Sequence, residues 1–167
     1  MPNWCYNTVI LSHDDETLID ALEQELMKDE NAQVFNHLVP RPAEEEENWY
    51  GWNVSNWGTK WDVTPYDWDR NGNSITFTFD SAWSPPINLY EKLTDEGWYV
   101  SAKYHEPGIG FIGWFEDGFD DCYEYDISDK ENIDNLPDEL IEFGNLYEEH
   151  ENWKENHEDE DTDETED

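Results

Sequence analysis

NGNSITFTFDSAWSPPINLYEKLTDEGWYVSAKY, residues 71–104, holds three elements in succession and decides the fold. After an Asn71-Gly72 turn, Ile75, Phe77 and Phe79 alternate with Ser74, Thr76 and Thr78, which is the period of a strand with one buried face. Ser84 followed by Pro85-Pro86 reads as an N-cap with proline at the first helical position. Ile87, Tyr90 and Leu93 then make one apolar stripe, and Gly97 stops the helix. Trp98, Val100, Ala102 and Tyr104 alternate along a second strand.

Upstream, Asn7 to Leu11 is a short β-branched run that reads as a strand. Ser12 with Asp15 looks like a capping pair, and Leu18, Leu22 and Leu26, with Ile19 alongside, give a helix running to about Asp29. Downstream, Glu106-Pro107-Gly108 turns into a strand from Phe111 to Phe115. The order β-α-(insertion)-β-α-β-β implies an α+β fold, a ferredoxin-like antiparallel sheet with two helices on one face. The insertion, about residues 36–70, lacks a period but is rich in tryptophan, so it is expected to pack down rather than float.

A composition shift divides the chain. Residues 1–116 carry 21 acids and 6 bases, net −15, whereas residues 117–167 carry 23 acids and 2 bases, net −21. The expected organisation is a domain over 1–127, an acidic extension over 128–150 and a disordered acidic tail over 151–167. Cys122 to Ile127 reads as an edge strand, and Leu136, Leu140, Phe143 and Tyr147 give one amphipathic helix from Pro137 to about Glu149.

The whole chain has 44 Asp+Glu against 8 Lys+Arg, a net charge of −36. Such a surface repels nucleic acid and anionic lipid and attracts basic partners. Solubility or adaptation to high salt is the competing explanation of a diffuse acidic excess. The opening MPNWCYNTVI has no signal-peptide pattern, and no apolar run approaches the roughly 20 residues of a membrane span, so a cytoplasmic protein is expected.

Chemical motifs are weak. Asp67-Trp68-Asp69-Arg70-Asn71-Gly72 matches the first half of a calcium loop, but Thr78 stands where a bidentate glutamate is needed, and a hairpin turn is the better reading. His105 beside Glu106 offers a proton-transfer pair, though a histidine at a strand end is more often an ordinary polar residue; Asp117, Asp120 and Asp121 offer paired carboxylates but carry no sign of burial. Cys5 and Cys122 lack metal spacing and read as free buried thiols. No enzyme, cofactor or metal is expected.

Several separated motifs resemble a phage- and plasmid-encoded family, the YubB-like proteins with a ferredoxin-like domain. They are Met1-Pro2-Asn3-Trp4-Cys5, Asn56-Trp57-Gly58-Thr59-Lys60-Trp61-Asp62, Ala82-Trp83-Ser84-Pro85-Pro86, and Glu106-Pro107-Gly108 with Phe111 and Gly113. The resemblance covers about residues 1–125. It implies a ferredoxin-like fold and a mobile-element origin and brings no catalytic residues; the acidic extension departs from the pattern.

Charge and resemblance together lead to one expectation, a mobile-element counter-defence inhibitor that mimics DNA. It would occupy the nucleic-acid-binding surface of a basic host protein, such as a restriction enzyme or CRISPR effector, in the host bacterial cytoplasm. The candidate contacts are Glu44, Glu45, Glu46, Glu47, Asp117, Asp120, Asp121, Glu124, Asp126, Asp138, Glu139, Glu142, Glu148 and Glu149. Trp49 and Trp52 are the contacts of the alternative, a salt-insensitive interaction module; a small-ligand protein ranks below both. A homodimer is compatible with either, since two-fold assemblies are the commonest.

Overall fold

The computed structural model describes residues 2–164, with side chains as far as Glu158. Its strands are β1 (Trp4–Ser12), β2 (Asp67–Asn71), β3 (Ser74–Ala82), β4 (Tyr99–Glu106), β5 (Phe111–Glu116) and β6 (Phe119–Glu124). Its α-helices are α1 (Glu16–Leu26), α2 (Val34–Leu38), α3 (Trp49–Asn56), α4 (Ile87–Asp95), α5 (Lys130–Asp134), α6 (Asp138–Gly144) and α7 (Leu146–Glu164). The strands form one antiparallel sheet in the order β2-β3-β1-β4-β5-β6. Its first four strands, with α1 and α4 as crossovers, make the split βαβ arrangement expected of a ferredoxin-like fold. The hairpin β5-β6 widens the sheet beyond β4.

Pleat alternation sends side chains to two separate cores. Val9 and Leu11, Ile75, Phe77 and Phe79, and Val100 and Ala102 face α1 and α4, where Ile19, Leu22, Leu26, Leu89 and Leu93 close the larger core. The insertion joins it: Trp57 is buried, packs edge-on to Phe35 at 5.8 Å and donates its indole N–H to the Val39 carbonyl at 2.9 Å. On the other face, Ile112 meets Ile133, Leu136, Leu140, Ile141 and Leu146 in a second, smaller core. The C-terminal extension therefore has its own apolar anchor.

Local details differ from the sequence reading for identifiable reasons. Asp67–Asn71, assigned to the insertion, is the edge strand β2, pairing Asp67 with Thr78 through to Asn71 with Ser74. The hairpin turn is Gly72-Asn73, with Gly72 at φ 62°, one residue later than Asn71-Gly72. Asp15, not Ser12, caps α1, its carboxylate accepting the Thr17 N–H at 3.0 Å. The buried stripe of α1 is Ile19, Leu22 and Leu26, while Leu18 is left exposed. Ser84 does not cap α4; its hydroxyl donates to the Gly58 carbonyl at 2.8 Å.

The single helix expected over 137–149 is two. Asn145 adopts a left-handed conformation (φ 52°) that ends α6, and α7 restarts at Leu146. The restart changes the phase, so Leu146, His150 and Trp153 face inward while Tyr147 is exposed. Residues 151–164, expected as a disordered tail, continue α7; residues 165–167 lie outside the described residues.

Gly113 lets three strands and a tyrosine ring meet at close range. It pairs with Tyr104 on one side and Cys122 on the other, and the Tyr104 ring lies across it. A methyl there would overlap the Asp121 carbonyl oxygen and stand 2.5 Å from the Tyr104 hydroxyl. Gly113→Ala is expected to cost about 1–3 kcal/mol by overpacking, read as a lower urea midpoint with unchanged slope.

Candidate partner-binding surface

β6 is the outer strand on one side of the sheet, and alternation splits its acids. Asp120, Cys122 and Glu124 lie on the side of the larger core; Asp121 and Tyr123 lie on the side of the smaller one. Between the first set and the insertion opens a cavity of about 410 Å³. Val54, Pro85, Ile87 and Phe111 supply apolar wall, and Tyr104, Asp120, Cys122 and Glu124 the polar side.

The wall opposite β6 is held by specific bonds. The Asn88 amide donates to the Val54 and Ser55 carbonyls at 3.1 and 3.2 Å, tying the end of α3 to the start of α4. Gly58, at φ 91°, lets the chain pass against the first N–H groups of α4; a methyl there would stand 3.1 Å from the Ile87 nitrogen. On the sheet side the Tyr104 hydroxyl donates to Asp120 Oδ1 at 2.5 Å. Burial raises the Asp120 pKa, the Tyr104 bond opposes this, and the neighbouring Asp121 charge adds to the rise. Burial raises the Tyr104 pKa, and partial enclosure against the cavity wall raises that of the otherwise exposed Cys122 thiol.

The candidate carboxylates fall on three parts of the surface rather than on one patch. Glu44, Glu45, Glu46 and Glu47 form a turn that leads into α3. Asp117, Asp120, Asp121, Glu124 and Asp126 follow the β5-β6 turn and the β6 edge; Asp117-Gly118, both at positive φ, make the two-residue turn. Asp126 Oδ1 accepts the Ser128 N–H at 3.0 Å and its hydroxyl at 2.6 Å, and these bonds lower its pKa. Asp138, Glu139 and Glu142 lie on α6, and Glu148 and Glu149 on α7, across the sheet from the cavity. Glu148 accepts the Asn145 amide at 2.6 Å.

Bases are directed elsewhere. Arg70 reaches Glu16, Asp20 and Glu23 of α1, clamping β2 to that helix. Arg41 donates to Asn53 at 3.0 Å, Lys28 pairs with Glu25 at 2.6 Å, and Lys60 stands 4.0 Å over the Trp61 ring. Among the candidate acids, Glu46 meets Arg41 and Glu139 meets Lys103, each at 3.8 Å.

The aromatic candidates part company. Trp49 is 39% exposed and packs edge-on to Tyr50, itself 57% exposed, at 5.8 Å. Trp52 is half-buried instead, against Trp57 at 5.6 Å. The other motifs resolve plainly. Asp67, Asp69 and Asn71 occupy alternate positions on one face of a strand, so they do not wrap around a cation. His105 and Glu106 point to opposite faces: His105 shares a 2.6 Å bond with the Tyr125 hydroxyl, while Glu106 accepts the Gly108 and Ile109 N–H groups at 2.6 and 2.9 Å. Cys5 is buried, its pKa pushed up to about 12 by burial, but Cys122 is exposed, contrary to the reading of both as buried. Among the described residues no His/Cys/Asp/Glu group is arranged to hold a metal, and no helix is long and apolar enough to cross a membrane.

No family model matches the chain, and no curated relative does. Among solved structures it is similar to protein api92 from Yersinia pseudotuberculosis, of the family model DUF1281, at 22% identity and a TM-score of 0.40. The match covers 55% of this chain and 39% of that one.

The Tyr104–Asp120 bond gives a signed prediction. The hydroxyl favours the ionised carboxylate, while burial favours the neutral form and prevails. Tyr104→Phe should therefore raise the Asp120 pKa further, as followed by carboxyl carbon NMR. A raised folded value means stability gained on acidification through it, with the gain complete below the ordinary 3.8. In the variant that gain should begin at higher pH; an unchanged or lower Asp120 pKa would contradict the assignment.

Proposed function

We propose that the chain acts by occupancy: it presents carboxylates to the nucleic-acid-binding surface of a basic protein and so blocks that surface without chemistry. The observation that carries this reading is α7. Over 19 residues, Leu146–Glu164, its sequence holds ten acids and a single base, Lys154. At 1.5 Å per residue the helix is roughly 28 Å long, which gives about one carboxylate per 3 Å of axis. Duplex DNA carries one charge per roughly 1.7 Å, and each of its strands one per roughly 3.4 Å. The helix thus has about the linear charge of one DNA strand.

Docking explains only part of the helix. Leu146 and His150 are buried, His150 sharing a 2.6 Å bond with the Ile127 carbonyl, and Trp153 is half-buried; this is a docking stripe over two turns. From Lys154 to Glu158 every residue is exposed. There is no basic residue in the last turn of α7, where positive charge would favour the helix dipole. The carboxylates at the β5-β6 edge and before α3 extend the same chemistry. In the mobile-element setting that the family resemblance implies, the blocked protein is a host defence nuclease or nucleic-acid binder, and the setting is the bacterial cytoplasm.

A second reading draws on a different observation, the exposed Trp49–Tyr50 pair on α3. Aromatic side chains left in water on a rigid helix are frequent interface anchors. One experiment separates the two. Tagged protein captures partners from bacterial lysate, elution is by salt steps to about 1 M or by duplex DNA, and the eluted proteins are identified by mass spectrometry. The expected result is a nucleic-acid-binding protein released by both, with capture reduced at least roughly tenfold by the combined variant Glu148→Gln, Glu149→Gln, Glu151→Gln and Glu155→Gln. A partner that resists salt and DNA but is lost with Trp49→Ala and Tyr50→Ala would replace the first reading by the second.

A further inference from the structure

The cavity beside β6 has a composition that diffuse acidity does not explain. It is a largely apolar recess with carboxylates on one side only, and its lining includes no positively charged residue. At about 410 Å³ it falls in the size range of ligand pockets. We infer that this cavity is a socket for one arginine side chain of the partner protein. The inference rests on the occupancy reading only for where that arginine comes from; the socket itself is defined by its walls.

Each wall matches a part of arginine. Val54, Pro85 and Ile87 can cover the three methylenes, which gain from leaving water. On the sheet side the Tyr104 and Phe111 rings meet at 66° with centroids 6.2 Å apart; Tyr104 is buried beneath, and the half-buried Phe111 ring supplies an aromatic face suited to a flat, weakly hydrated cation. Asp120 is fixed there: the Tyr104 hydroxyl occupies Oδ1, and a carboxylate has acceptor capacity left for a guanidinium fork. Glu124 lies on the same face of β6, four residues further on, roughly 13 Å along the strand. At that distance from Asp120 it attracts the cation rather than joining the fork.

Other occupants fit less well. A phosphate or carboxylate would face Asp120 and Glu124 with no base to offset them. A neutral apolar molecule would leave Asp120 without a counter-charge in a drier setting than it has now, at a desolvation cost. Lysine shares the charge but offers a compact, strongly hydrated head in place of a fork.

The test uses the full chain and small probes. Isotope-labelled protein is titrated with N-acetyl-arginine amide, with N-acetyl-citrulline amide as the uncharged isostere and N-acetyl-lysine amide as the alternative cation. Expected are saturable amide shifts confined to Ile87, Asn88, Phe111, Asp120, Cys122 and Glu124, absent with citrulline. Asp120→Asn, which keeps an acceptor for Tyr104, should weaken arginine binding at least about tenfold, and Glu124→Gln, whose carboxylate has no such fixing bond to Tyr104, should weaken it less. Shifts that spread over the acidic surface without saturating, or a citrulline response equal to that of arginine, overturn the socket. Lysine binding as tightly at the same residues overturns the assignment to arginine. Failure here beside a salt- and DNA-sensitive capture rejects the socket alone; saturable binding here beside a salt-insensitive capture rejects the occupancy reading and leaves the socket standing.

Discussion

The structure depends on holding 44 carboxylates on one chain with 8 bases to oppose them. Self-repulsion at that imbalance favours expansion, so compaction must come from apolar burial. The sheet provides it on both faces. Alternation along β4 divides the work: Val100 and Ala102 enter the larger core, while the neighbouring β5 residue Ile112 seeds the smaller one. Large rings fill much of the first, with Phe35, Phe77, Phe79, Tyr90, Phe115 and Trp57 each almost fully buried. A few aromatics at roughly 150–250 Å² apiece do what many aliphatics do elsewhere.

Charge economy then governs where the bases stand. Arg70 sits on the edge strand β2, whose outward neighbours Asp67 and Asp69 would otherwise leave it loosely attached, and it reaches three acids of α1. Arg41 braces Asn53, whose own amide donates to the Lys60 carbonyl at 2.8 Å, so one base organises the turn around α3. Bases used in this way hold the insertion and the edge strand in place. On α6, Lys103 meets Glu139.

Strands with one apolar face were legible in the residues, because Ile75 to Phe79 and Val100 to Tyr104 alternate cleanly. β2 was not: Asp67-Trp68-Asp69-Arg70-Asn71 is polar on one face, and its other face mixes a tryptophan with an arginine whose role is set by a helix fifty residues earlier. Ile19 displaced Leu18 because helix rotation is decided by the partner sheet, and period alone admits both. The break at Asn145 had a local signal, Gly144-Asn145, the residue types that end helices, but the apolar period through Phe143 and Tyr147 ran across it. The cavity was invisible for a stronger reason. Its residues come from α3, α4, β4, β5 and β6, and it exists because Tyr104 crosses Gly113 to reach Asp120.

The acids themselves divide according to whether the fold accounts for them. β6 is an open edge, and a row of carboxylates there opposes pairing with a second sheet, a sufficient structural reason for Asp121 and Glu124. The acids of the first turn of α7 suit its dipole. Glu151 and Glu155, further along α7, are exposed and set like charges at neighbouring helical positions. The external basic partner proposed above would give exposed acids such as Glu151 and Glu155 a use outside the fold, while the cavity across the sheet brings apolar wall, an aromatic ring and carboxylates together around a space of about 410 Å³.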